Sequence, residues 1–340
     1  MATAPNSLQT LTIENKTFYE KTLLKRLKDS YVLFDYGKKA VLPKHHGDTI
    51  SWRKFKKFEI PSASLTEGVT PTPVNKLTPI EFKARLTQEG DYIELTDLLD
   101  YEGIDPVITE TSELFGEQIA EKVDSLIRGV LLSGVNVYYG GQKTARTALT
   151  ASDTLKLDDL NRMNAILKKY KVKPFDGGKY VLLVSPEVHY DLLKITSDNN
   201  SFIDIAKYAK TESVLTGEVG TVLGFKIVVD NAVTTVAGSN SVVVHQCIAL
   251  GKDAFGVVML EGDTNSPNII HKPLGSGGVN DPLDQKQTLG WKINGFATRI
   301  LYDEAVMRVE VASGLNVSGY ALDETERTHY EASNNIDDDE

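Results

Sequence analysis

The feature that most constrains this fold is a long β-hairpin, which the sequence predicts over residues 49–96. Aromatic and β-branched residues are frequent in Ile50–Ile60, and apolar and polar residues alternate in Glu81–Gln88, as in a half-buried strand. The connection Pro61–Pro79 contains four prolines, which cannot donate hydrogen bonds to a strand ladder. A two-stranded hairpin is only marginally stable in water. We therefore expect this element to depend on packing against another surface.

Large apolar side chains in the predicted hairpin are the candidates for that packing. Aromatic side chains contribute much of the free energy of protein interfaces. The candidate contact residues are Trp52, Phe55, Phe58, Phe82 and Leu86. Closed symmetric assembly would bury such surfaces on neighbouring copies of the same chain. The hairpin therefore predicts self-association as the function.

Charge is spread unevenly along a chain whose formal net charge is −10. Residues 1–60 hold twelve basic and six acidic residues, a net of +6, whereas residues 302–340 hold two and eleven, a net of −9. The two ends attract each other or attract different partners. A candidate basic arm consists of Lys16, Lys21, Lys25, Arg26 and Lys28. Its partner is a polyanion or an acidic protein surface.

The remaining patterns predict an α+β fold. Asp105 suits a helix N-cap and Pro106 the first helical position, and apolar residues then recur at helical spacing to about residue 132. Residues 153–245 mix helix and strand patterns: Tyr180–Val184 is an apolar run typical of a buried strand, and Ser185 and Pro186 suit the N-cap and the first position of the helix that follows. Residues 246–312 are mostly β and include a predicted strand at Phe255–Leu260. The length allows one large or two moderate domains.

No motif in the sequence indicates catalysis, a cofactor or a metal. Gly140–Thr144 resembles part of a phosphate-binding loop, but Gln142 interrupts the required order, and a flexible loop also explains the glycines. His45 and His46 are adjacent and would point to opposite faces of a strand. The single cysteine, Cys247, cannot form an internal disulfide and is expected in the core. We expect no enzyme activity, no cofactor and no metal site.

The order of these elements resembles the HK97-type capsid fold of tailed bacteriophages. Four short sequence segments are similar to segments in the capsid proteins of phages related to coliphage N-four. The resemblance extends over about residues 10–315. The four segments are Tyr180–Glu187, Gly217–Gly220 with Gly224-Phe225, Gly251–Val257, and Asp281–Gln285 with Gly290–Lys292.

This resemblance implies a division of the chain into named parts. The expected parts are an N-terminal arm (1–48), an E-loop (49–96), a P-domain (97–152) with a spine helix (105–132), an A-domain (153–245), β segments shared by the P- and A-domains (246–312), and an acidic C-terminal tail (313–340). Some members of the fold join subunits through a lysine–asparagine crosslink, but no motif here assigns such a pair, and none is expected.

By resemblance the chain would be a major capsid protein. Its hexamers and pentamers would form an icosahedral head around double-stranded DNA, assembled in the host bacterial cytoplasm, with no membrane partner. Portal, separate scaffolding and decoration proteins would be partners. The basic arm would face inward and meet either packaged DNA, bound weakly and without specificity, or the acidic surface of a neighbour. The alternatives are an encapsulin-like nanocompartment shell and an unrecognised α+β enzyme or binding protein that forms only a small oligomer.

Overall fold

The structure is a computed structural model of the 340-residue chain. The described residues are 32–43, 47–60, 64–65, 67–70, 73, 75–97, 107–194, 221–239, 242–260, 267–276 and 281–315. Within these ranges the fold is α+β, as predicted. The described helices are α1 (Val107–Leu132), α2 (Leu157–Lys169) and α3 (Pro186–Lys194). The described strands are β1 (Lys38–Leu42), β2 (Thr49–Phe55), β3 (Pro79–Arg85), β4 (Thr87–Thr96), β5 (Val137–Tyr139), β6 (Tyr180–Val184), β7 (Thr221–Val222), β8 (Phe225–Val229), β9 (Thr235–Ala237), β10 (Val243–Leu250), β11 (Phe255–Leu260), β12 (Asn268–Lys272), β13 (Lys286–Ile300) and β14 (Val306–Ala312).

The chain divides into two compact units, with boundaries after Gly134, Gly251 and Val306. Unit 1 contains the segments before the first boundary and between the second and third. Unit 2 contains the other two segments. Residues 135–152, which the resemblance placed in the P-domain, cluster with the following α/β region in unit 2.

The long strand β13 organises the sheet of unit 1. It pairs antiparallel with β4, β11 and β12, and β1 adds to β11 in parallel. Helix α1 packs against this sheet, where the indole Nε1 of Trp291 donates to Oε1 of Gln118 at 2.7 Å. Buried Phe115, Ile119 and Val123 follow the predicted helical spacing. The predicted first residues of this helix, 105 and 106, lie outside the described residues.

Unit 2 is built on a seven-stranded sheet in the order β5-β14-β10-β6-β8-β7, with β9 paired to β10. Its core joins β6 to the apolar faces of α2 and α3, including Leu160, Leu182 and Leu192. The predicted start of α3 is confirmed: the Ser185 hydroxyl oxygen accepts from the Val188 N–H at 3.3 Å, and Pro186 is the first helical residue.

Two segments differ from the expectations. The predicted strand Glu81–Gln88 is divided near Leu86, because β3 pairs with β2 whereas β4 pairs with β13. The glycines at 140 and 141 are required by packing rather than by flexibility. A Cβ on Gly140 would lie 2.9 Å from the Asp153 carbonyl oxygen, and Gly141 has φ of +61°.

Candidate assembly surface

The hairpin predicted from the sequence forms, with β2 and β3 paired from Thr49↔Arg85 to Phe55↔Pro79. Side chains alternate between two faces of this ribbon. Trp52 and Phe82 are cross-strand partners on one face. On the other face, Arg53 donates to Glu81 at 2.8 Å in an exposed ion pair. The two faces therefore have different partners.

One face of the ribbon packs on the sheet of unit 1. Buried Ala84 clusters with Val258 and Ala297, and Ile50, Trp52 and Leu86 pack against this cluster. The Trp52 indole lies over Gly256, where an added Cβ would come within 2.7 Å of its Cζ2 atom. The glycine creates the space in which this indole sits.

Lys54 fixes the same face at the far end of the ladder. Its ammonium nitrogen lies 4.9 Å from the centre of the Phe82 ring and 4.5 Å from that of Tyr302. It also donates to the Leu301 carbonyl oxygen at 3.3 Å. Cation–π contacts of this kind contribute about 0.5–1 kcal/mol at exposed sites. Lys54, one of the lysines of the expected E-loop, is therefore held against its own unit.

From the last pair of the ladder onward, the chain presents apolar side chains to solvent. We define the apolar tip as the exposed set Phe55, Phe58, Ile60, Leu65, Val69 and Leu77. The Asn75 side chain holds the two segments together, accepting from the Glu59 N–H at 2.8 Å and donating to the Glu59 carbonyl at 2.9 Å. Ile60 is 86% exposed, and so many exposed apolar side chains in one short segment are typical of an interaction site.

The structure separates the five candidate contact residues into two groups. Trp52, Phe82 and Leu86 are partly buried on their own unit, whereas Phe55 and Phe58 are 58% and 54% exposed. Sequence reasoning missed Lys54 and the exposure of Ile60. The alternation in β2 places Lys54 on the inward face, but it cannot identify the two rings that the ammonium meets.

Val32 and Leu33 are anchored to α1 within unit 1. The carboxylate of buried Asp124 accepts from the N–H groups of Val32 and Leu33, at 2.8 and 3.3 Å. Leu33 has no exposed surface, and a 3-10 helix follows at Phe34–Tyr36. The five basic arm residues Lys16, Lys21, Lys25, Arg26 and Lys28 lie outside the described residues.

Unit 2 contains a serine, a histidine and a carboxylate near one another, but not in the geometry of a catalytic triad. The Ser185 hydroxyl oxygen lies 3.0 Å from Nδ1 of His245, and the Glu187 carboxylate lies 3.9 Å from the same nitrogen. A triad needs the serine and the acid on opposite ring nitrogens. Both Ser185 and His245 are also buried. The contacts fit the cap of α3 better than a nucleophile.

A buried carboxylate links strands of unit 2. Glu310 has no exposed surface and receives two hydrogen bonds from the Arg146 guanidinium, at 2.7 and 2.6 Å. Gln246 also donates to it at 3.2 Å. Burial tends to raise the pKa of Glu310, but these hydrogen bonds and the nearby Arg146 and Arg308 charges hold that pKa below its usual value.

Among the described helices, none has an apolar stretch of the length that is needed to span a membrane. Nor do the described residues bring three His, Cys, Asp or Glu side chains together in a group that could hold a metal ion.

Comparison with known proteins places these features in a family. Residues 80–308 match the family described as phage capsid protein. No curated protein matches the chain in sequence. The capsid of Ralstonia phage GP4 is similar in structure, with a TM-score of 0.64, 13% identity, and coverage of 84% of this chain and 92% of that one.

Two further solved structures share the fold. That of Mycobacterium phage Che8 has a TM-score of 0.55 and 12% identity, covering 82% of this chain and 90% of the other. The virus-like particle from Pyrococcus furiosus has a TM-score of 0.51 and 14% identity, covering 87% and 99%. The fold is thus HK97-like, and the family match extends from β3 into β14, over more than half of the chain. On this match, the chain belongs to the phage capsid protein family.

Proposed function

We propose that this chain is the major capsid protein of a tailed phage and that its copies form the shell of the head. The observation that carries the proposal is the apolar tip, which lies beyond a hairpin docked on its own unit and is exposed in the single chain. Membership of the phage capsid protein family supports it. The chain then acts as a structural protein of the virion.

Assembly would proceed by burial of the apolar tip on neighbouring copies in hexamers and pentamers. Fully burying one large apolar side chain contributes about 1.5–3 kcal/mol. A few such side chains per hairpin give a contact that is weak alone but is repeated around a closed shell. The docked face would set the direction of the hairpin, and the tip would supply the contact.

The named parts of the fold follow from the same proposal. Residues 49–96 would act as the E-loop, with β4 forming its continuation into the sheet of unit 1. Helix α1 would be the spine helix. The four sequence segments named above, among them Asp281–Gln285, further suggest a relationship to the phages related to coliphage N-four.

Other partners belong to the proposal as well. The icosahedral shell would enclose double-stranded DNA, and portal and scaffolding proteins would take part in assembly in the host cytoplasm, with decoration proteins as further possible partners. The basic arm, Lys16 to Lys28, would face the interior. If neutralising its five basic residues changes neither assembly nor DNA retention, that role for the arm is wrong.

Deletion of Ser62–Thr78 tests the proposed function. The deletion removes Leu65, Val69 and Leu77, half of the apolar tip, so closed shells should not form. The ladder of β2 and β3 and the docked face remain, so the subunit should fold and stay soluble. Electron micrographs and size-exclusion elution report assembly, and circular dichroism reports folding. Closed particles of normal size from the folded variant would contradict the proposal.

A second candidate function is an encapsulin-like shell that encloses protein cargo. The similarity to the Pyrococcus furiosus virus-like particle favours it, although only the fold is shared at 14% identity. The contents of purified particles separate the two functions. Double-stranded DNA supports the phage head, and a packaged enzyme supports the compartment.

A further inference from the structure

A group of exposed lysines lies at the end of α2 in unit 2. We define the lysine patch as Lys168, Lys169, Lys171 and Lys173, all of which are exposed. Among the described residues, none of these four has an ion-pair partner. The patch is a local excess of positive charge on a chain whose formal net charge is −10.

The helix accounts for only part of this charge. Lys168 and Lys169 lie in the last turn of α2, where cations favour the negative end of the helix dipole. Lys171 and Lys173 lie beyond the helix. Lys171 occupies the left-handed region at φ of +57°, where glycine is the usual residue. Its N–H donates to the Lys168 carbonyl at 2.9 Å, so the turn holds the lysines close together.

The segment that follows β14 carries the opposite charge. Residues 316–340 contain eight acidic residues and one arginine, a net of −7. These residues lie outside the described ranges, but their starting point is fixed. Asp191 of α3 accepts from the Ser313 hydroxyl and from the Gly314 N–H, both at 2.8 Å.

The distance from that starting point to the lysine patch suits the segment. A Cβ on Gly314 would lie 4.0 Å from Thr154, which comes shortly before α2 begins. The lysine patch lies at the other end of α2, about 20 Å away at 1.5 Å per residue. Twenty-five residues reach about 80 Å when fully extended, so the segment is long enough to cross this distance. A tethered group within reach of its site has an effective concentration in the millimolar range.

We propose that the lysine patch binds the acidic C-terminal segment, residues 316–340, of its own chain. Charge complementarity and tether length both favour this occupant. Nucleic acid is the competing occupant, because exposed Tyr170 interrupts the lysines and could stack on a base. The tethered polyanion is present at high effective concentration, whereas DNA is repelled by the acidic subunit. The C-terminal segment thus shields the patch from nucleic acid.

Amine labelling of the full-length protein after nuclease treatment tests this contact. The variant replaces the eight acidic residues of 316–340 with their amides, and mass spectrometry quantifies labelling of each lysine. Labelling of the lysine patch should rise about threefold in the variant, a factor that corresponds to about 0.65 kcal/mol and lies within the range for exposed ion pairs. It should also rise in the unaltered protein at 1 M salt, where the screening length is about 3 Å.

Exposed Lys272 of unit 1 is the internal control, and its labelling should stay constant. Carbodiimide treatment should join patch lysines to residues 323–340, and mixed isotopic labelling of two preparations should place these links within one chain. Equal labelling of the patch in both proteins would overturn the proposal. So would links only between chains, or protection that nuclease removes and that the amide variant retains.

Discussion

Glu310 shows how a single buried charge is tolerated in unit 2. Its carboxylate has no exposed surface, yet Arg146 and Gln246 supply hydrogen bonds to it. Removing the carboxylate takes away the ion-pair partner of Arg146, which is one third exposed, and a hydrogen-bond acceptor of buried Gln246. Breaking a buried pair in this way costs more than the pair itself contributes. The sequence alone could not identify this group, because Arg146 and Glu310 are 164 residues apart.

We expect Glu310→Gln to lower the free energy of unfolding by about 3 kcal/mol. Because the folded pKa of Glu310 is lowered, its contribution is full above the usual carboxyl range and is lost as pH falls through the folded pKa. The difference between the two proteins should therefore shrink in acid. Urea unfolding of dissociated subunits measures it.

The matched control is Glu94→Gln in unit 1. Glu94 pairs with Lys286 at 3.1 Å, but both side chains are at least half exposed, so the loss should stay below about 1 kcal/mol. Equal losses for the two variants would show that the Glu310 network is not special.

His245 gives a second pH dependence of stability, which comes from a buried base and not from a buried acid. Burial lowers the pKa of His245, although the Glu187 and Asp191 charges act to raise it. The unfolded chain binds this proton first, so stability should fall as pH drops below about 6.5. Melting temperatures measured between pH 7.5 and 5.5 should decline for the unaltered protein and decline less for His245→Asn. Identical slopes for the two proteins would refute this role. His189→Asn provides the comparison, because His189 is a half-buried histidine whose pKa is also lowered by burial.

At the scale of elements, sequence patterns predicted the pieces well where they depend on local chemistry. The strands Tyr180–Val184 and Phe255–Leu260 and the start of α3 occur where expected, because a buried apolar run and a Ser-Pro cap are local signals. Cys247 is fully buried, as predicted, and burial raises its pKa to about 12. The partner of each strand is not a local property. The alternation that continues past Leu86 therefore could not show that β4 leaves the hairpin for β13.

The hairpin supplies a test that separates its two faces. Phe55→Ser and Phe58→Ser should leave subunit stability within about 0.5 kcal/mol, because both side chains are exposed, while the yield of particles falls. Trp52→Ala should lower subunit stability by about 2 kcal/mol, since its indole packs on the sheet at Gly256. Urea unfolding and particle counts in electron micrographs give the two quantities.

Val135→Ser, at an apolar residue that is 80% exposed outside the hairpin, is the matched control. It should change neither quantity. A loss of particles as large as that in the Phe58 variant would indicate a general effect of surface apolarity rather than a contact of the apolar tip.

At the scale of the whole molecule, the order of elements carried the family resemblance, and the family match confirms that the chain is a phage capsid protein. The boundary between units was harder to place. The sequence predicts a loop at Tyr138–Thr150, and the resemblance placed residues 97–152 in the P-domain. However, β5 pairs in parallel with β14, more than 160 residues later, and residues 135–152 therefore belong to unit 2. Contacts between copies of the chain are even harder to predict, because no local sequence pattern identifies the partner surface.

Reconstruction of the assembled particle by electron cryomicroscopy would show directly whether the apolar tip joins neighbouring copies. We expect a closed shell in which Phe55, Phe58 and the rest of the apolar tip are buried on a neighbouring copy, while Trp52 and Lys54 remain docked on their own unit. A particle whose hairpin tips are exposed to solvent, or folded back on their own subunit, would contradict it.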